Sequence, residues 1–165
     1  MGEAIRVDTK RAGGRRTLRF ETLNDALADA EALAAAERAG RLRSAGNWSL
    51  GQVFGHLAAW VGYAYDGLPV EPPRLVRWLM RPMKKRFLFR AMPAGVKIPS
   101  AAGGTFGTDV LSTDEGLERL RSAYARLKAE PPARAHPLFG RLTHEEWING
   151  HLRHAELHLS FVRAE

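Results

Sequence analysis

The chain has 165 residues, 45% hydrophobic and 26% charged, the balance of one globular domain able to bury a core without covalent staples. It has no cysteine, which excludes disulfide scaffolds, thiolate metal sites and thiol nucleophiles. The formal net charge of +7 is local: Arg74, Arg77, Arg81, Lys84, Lys85, Arg86 and Arg90 share one stretch without an acid, and the other 18 basic residues match the 18 acidic ones.

In chain order, an Ala-, Leu- and Glu-rich segment predicts a first amphipathic helix over residues 23–42, with Thr22 or Asn24 as its cap. A second helix starts behind Ser49 and runs over 50–65, ending at Asp66-Gly67, with Leu50, Val53, Phe54, Leu57, Val61 and Ala64 as its buried stripe. Residues 75–89 are helical in composition but interrupted by Pro82, and 92–108 read as a loop. A third helix follows Ser112 or Thr113, carries Leu117, Leu120, Tyr124 and Leu127, and stops before Pro131-Pro132. The fourth opens on a capping box of Thr143 and Glu146 and extends to about residue 162. No long strand-like alternation occurs, so the fold expected is all-α, four helices with a long crossover between the second and third.

The expected organisation is one domain over 1–165, with an N-terminal extension over 1–20 and a crossover or lid over 67–112. No apolar run reaches the roughly 18–20 residues of a membrane span, and the N-terminus has no signal-type apolar segment. A cytoplasmic location with no membrane partner is therefore expected.

Four of the six histidines fall between 144 and 158. At about 100° per residue, His144, His151, His154 and His158 share an arc of roughly 80° that includes Trp147 and borders the apolar stripe. His154 and His158 are spaced i, i+4, so two imidazoles can reach one ion. His56 on the second helix is the natural third ligand, with Gln52 one turn before it. His151, one turn before His154, is an alternative ligand or a neighbour of the site, and Gln52 is another candidate for either role. Glu156 lies about 160–200° from the histidines and is expected to face water or another helix.

The segment Asn47-Trp48-Ser49-Leu50-Gly51-Gln52-Val53-Phe54-Gly55-His56-Leu57 resembles the Trp-Ser…His-Leu segment of DinB-like four-helix-bundle proteins, and His154-Ala155-Glu156-Leu157-His158 resembles their final-helix His-x-x-x-His. Closer still is an uncharacterised bacterial branch of that superfamily, which His136-Pro137-Leu138-Phe139-Gly140-Arg141-Leu142-Thr143 and residues 151–161 resemble. The resemblance implies a DinB-like bundle and a divalent metal, zinc or nickel foremost, on His56, His154 and His158. Thiol-dependent transferases and isomerases belong to the wider superfamily. With no cysteine in the chain, such chemistry would take its thiol from a small-molecule cosubstrate.

The first functional expectation is thus a metal-dependent enzyme, a transferase using an anionic low-molecular-weight thiol, with Trp60, Tyr63 and Trp147 walling the pocket. Lys84, Lys85 and Arg86 would recruit the anion from a lid in which Leu75, Val76, Trp78, Leu79, Met80, Phe87, Leu88 and Phe89 bury against the bundle. The alternatives are a non-enzymatic metal-binding or stress-response module, and a nucleic-acid-associated protein using residues 74–90. The neutral remainder of the chain argues against the nucleic-acid reading. A small-molecule substrate and a homodimer complete the expected partners.

Overall fold

The computed structural model describes residues 7–98 and 101–165; the first six residues of the expected extension, and Pro99 and Ser100 of the expected loop, lie outside the described residues. The fold is mainly α. Helix α1 (Leu23–Arg38) begins at Thr22, whose hydroxyl accepts from the Asp25 amide while the Asp25 carboxylate accepts from the Thr22 amide. It ends four residues before the expected limit. Beyond Ala39-Gly40 a short strand β1 (Leu42–Ser44) pairs antiparallel with β2 (Val162–Ala164), Arg43 opposite Arg163. That strand claims Val162, which was expected in the last helix and is buried here. Three residues per strand are too few to show an alternating pattern, so neither was visible in the sequence.

Helix α2 (Leu50–Asp66) has a reciprocal cap between Ser49 and Gln52 and stops at Gly67, as its sequence predicts. Next come α3 (Arg74–Met80), a 3-10 turn over Arg81–Met83 that contains Pro82, and α4 (Lys84–Phe89). Proline has no amide hydrogen to continue an α-helical ladder, which places the break there. Helix α5 (Thr113–Ala129) is capped by Ser112, and α6 (His144–Leu159) by the Thr143–Glu146 box.

Helices α1, α2, α5 and α6 surround one core that includes Leu33, Phe54, Leu57, Val61, Leu120, Leu127, Leu152 and Leu159. The closest approach is between α2 and α5, where two glycines face each other. A Cβ on Gly116 would lie 2.5 Å from the Gly51 carbonyl oxygen, and one on Gly51 would lie 2.6 Å from that of Ser112. Gly116→Ala should therefore force the helices apart and cost about 1–3 kcal/mol, despite alanine's better helix propensity. A lowered urea midpoint at unchanged m-value is the expected result.

The crossover does not bury as expected. Of the eight apolar residues expected to bury there only Leu88 is buried; it packs on α6 at Gly150, and Lys84 pairs with Glu146 at 2.7 Å. Phe87 is half-buried beside Phe139. Helix α3 has no buried residue, and Leu75, Trp78 and Leu79 are 66%, 69% and 53% exposed. The expectation assumed that the apolar residues of a connecting segment must find cover on the body. Within residues 74–90 the docking on α6 is made by α4.

The segment before α1 lies along α6. The Arg16 amide donates to the Ser160 carbonyl, and Phe20 is buried. This contact corrects the expected setting of Glu156. Its carboxylate is buried, accepts from the Phe20 amide at 2.7 Å and pairs with Arg153 at 2.9 Å. No helix of the described residues is long and apolar enough to cross a membrane.

Candidate metal centre

His56 comes from the middle of α2, and His154 and His158 from successive turns near the end of α6. The helix faces that bury Phe54, Leu57, Ala155 and Leu159 bring the three rings together beside the core. One ligand atom from each lies within 4.8 Å of the others, and His56 Nε2 is 3.2 Å from His154 Nε2. This is a looser cluster than the 3–4 Å expected for all three pairs of ligands about 2.1 Å from one ion. Three histidines so placed can hold a metal ion.

The donor chemistry fits that role. His56 is fully buried, and its Nδ1–H donates to the Phe106 carbonyl at 2.9 Å, which leaves the Nε2 lone pair facing the α6 rings. The loop bringing Phe106 over His56 turns at Gly107, with φ of 68°, where a Cβ would also press on Ala59 at 2.7 Å. Burial pushes His56 down to about 4, against the support of the Phe106 and Gly107 backbone. His154 and His158 are held well below the ordinary histidine value, chiefly by desolvation and further by neighbouring groups. All three rings are therefore neutral at pH 7, the form that binds metal. His154 and His158 are half-buried.

Aromatic rings wall the site. Trp48 stacks on His158 at 5.3 Å with planes 3° apart, and lies 4.8 Å from His56. Trp60 stands edge-on to His154 at 5.3 Å, with Tyr63 behind it at 6.0 Å. The Trp60 indole N–H is buried without a protein partner. Trp147 lies elsewhere. It stacks with His151 at 6.2 Å and sits 5.3 Å from His136, forming a second aromatic group nearer the start of α6.

The remaining expected residues divide the same way. His151 is buried against Trp147 with Nε2 unpartnered, outside the close triad. The Gln52 carbonyl oxygen caps the Ser49 amide and its NH2 reaches the Thr108 carbonyl at 3.5 Å, so it secures the covering loop instead of facing the rings. His144 donates to the Leu127 carbonyl. Lys84 is paired with Glu146, twelve residues before His158 and hence about 18 Å away along the helix, so the α4 cations sit at the far end of α6 from His158. The cation whose charge reaches His158 is Arg15. Its Nη2 donates to Ser160 Oγ at 2.8 Å, and it lies over Phe161 at 4.2 Å. Neither Arg15 nor the Phe106 carbonyl carries a spacing signal in the sequence; Trp48 was visible only as part of the Trp-Ser motif.

Several buried histidines make the fold acid-sensitive. Burial lowers His136 to about 4 and His151 to about 3, as it lowers His56. A depressed folded-state value means that the unfolded chain binds more protons, so stability is full above about 6.5 and falls as pH drops toward 4. The three shifts have the same sign, so their losses add over the same interval of pH. Circular dichroism should show cooperative unfolding of the metal-free protein between about pH 6 and 4. Retention of full helicity at pH 4 would contradict the assignment of these imidazoles as neutral in the folded protein.

A mainly helical domain with a buried-edge histidine triad is the class that fold and site define. The chain belongs to the family described as protein of unknown function (DUF1569), whose model matches residues 12–165. No curated protein and no solved structure matched the chain.

Proposed function

We propose that this protein is a metal-dependent enzyme of DinB-like four-helix-bundle type, a transferase that uses an anionic low-molecular-weight thiol. The observation that carries the reading is the convergence of three neutral imidazoles from α2 and α6, one of them fixed in its tautomer by the Phe106 carbonyl. The four helices around one core, with the crossover between α2 and α5, support the bundle assignment. A divalent ion held by neutral ligands keeps its full charge and draws a bound thiol toward ionisation near neutral pH.

The protein's own groups supply orientation and exclusion of water. His56 is held from behind by the loop carbonyl, Trp48 and Trp60 shield the ring cluster, and the Trp60 N–H offers an unused donor. No carboxylate joins the cluster among the described residues. A hydrolase of the metal-and-glutamate type sets a carboxylate beside the metal-bound water to take its proton, whereas a metal-bound thiol of lowered pKa can lose its proton to solvent water. Zinc and nickel both suit imidazole donors.

Metal analysis of protein purified without a nickel column tests the reading. About one zinc or nickel per chain is expected, and cobalt replacing it should change its visible spectrum when glutathione is added. Absence of stoichiometric metal, even after incubation with zinc at pH 7.5 to 8, would overturn the metal reading. A cobalt spectrum indifferent to thiols would overturn the thiol assignment and favour a non-enzymatic metal module.

A further inference from the structure

Helix α3 has an apolar arc that nothing in the described chain covers. At about 100° per residue Trp78, Leu75, Leu79 and Val76 occupy about 160° of its circumference, and all four are exposed. The half-buried positions, Arg77 and Met80, lie on the opposite side. The next turns add exposed Met83 and Phe89. Around this arc stand Arg74, Arg81, Lys85, Arg86 and Arg90, all exposed, and none has a carboxylate within 4.0 Å among the described residues. Pro82, Lys85, Arg86, Phe89 and Arg90 line a shallow concavity of about 560 Å³. The platform is held on the body from the other side, by Leu88 on α6 and by Lys84 on Glu146.

We infer that the α3–α4 segment docks the protein on an anionic lipid surface, with Trp78, Leu75 and Leu79 inserted at the headgroup–acyl boundary and the cations on the phosphates. The chemistry selects this occupant. A second copy of the same face would set one cluster of cations against another, since a two-fold contact pairs a patch with itself. Duplex DNA would satisfy the cations but leave the exposed tryptophan and leucines facing a polar groove. An anionic bilayer offers both components, negative charge at its surface and apolar depth beneath. The sequence reading expects no membrane partner because the chain has no spanning run and no signal-type segment; docking on a bilayer surface needs neither, and the exposure of these apolar residues makes them available for it.

The test is sedimentation of the full chain with vesicles of two parts phosphatidylcholine to one part phosphatidylglycerol, and with phosphatidylcholine alone. At least about tenfold preference for the anionic vesicles is expected, weakening as salt is raised. Replacing both Trp78 and Leu79 with Ala should reduce binding about tenfold or more, as should the triple change Arg81→Gln, Lys85→Gln and Arg86→Gln. Helicity should stay unchanged in both, because the altered side chains are exposed. Trp78→Phe should retain binding but lose the blue shift of tryptophan emission that insertion produces. Failure to bind anionic vesicles, or binding insensitive to the loss of Trp78 and Leu79, overturns the inference. So does a dimer dispersed by the Ala pair, or a duplex DNA complex that the same variants abolish in the absence of vesicle binding.

Discussion

Replacing His158 with Ala should abolish tight metal binding, and replacing His154 or His56 should do the same, whereas His151→Ala should leave the stoichiometry near that of the parent. The expected contrast follows from position. His56, His154 and His158 place ligand atoms within 4.8 Å of one another, while His151 turns to Trp147. Loss of an outer partner typically weakens a metal site about 10–100-fold, and loss of one of three ligands should exceed that. His158 is the cleanest probe because it is partly exposed; removing the fully buried His56 also leaves a cavity and strands the Phe106 carbonyl. Metal content after dialysis, with thermal unfolding of the metal-free variants as the control for folding, separates the two effects. If His151→Ala empties the site and His158→Ala does not, the pair on α6 is His151 and His154.

What made the triad legible was local periodicity. The i, i+4 spacing of His154 and His158 on a helix whose start is marked by Thr143 fixes two ring directions, and Ser49 marks α2 well enough to put His56 beside its apolar stripe. What spacing cannot express is contact between distant segments. The Phe106 carbonyl lies fifty residues from the ring it orients, and Arg15 more than a hundred from the helix end it meets. The same limit explains Glu156. Its angle from the histidines keeps it off the metal face, but the face it occupies is covered by the segment around Phe20 and not by water. Helix α3 erred in the opposite sense, because apolar residues at helical spacing were assigned cover that the chain does not supply.

Glu156→Ala should be among the most destabilising single substitutions, costing about 3–5 kcal/mol, while metal stoichiometry stays unchanged. Arg153 is 1% exposed, and its Nη2 donates to the Phe20 carbonyl at 2.6 Å and meets the Glu156 carboxylate at 2.9 Å. The carboxylate in turn accepts from the Phe20 amide. Burial pushes the Glu156 carboxyl up, against the hydrogen bond from Phe20 and the charge of Arg19 that hold it down. Removing that carboxylate leaves a guanidinium buried without its counter-charge and an amide without its acceptor; Arg153 already has Nε and Nη1 unpartnered. The melting temperature should fall by about 10 °C or more in a chain of this size. Combining Arg153→Met with Glu156→Gln distinguishes an uncompensated charge from a general intolerance of change. The Gln carbonyl still accepts from Phe20 and no charge remains to be buried, so the double variant should recover to within about 2 kcal/mol of the parent. A cost below about 1 kcal/mol for Glu156→Ala alone would mean that water reaches Arg153 and that the N-terminal segment does not seal this face of α6.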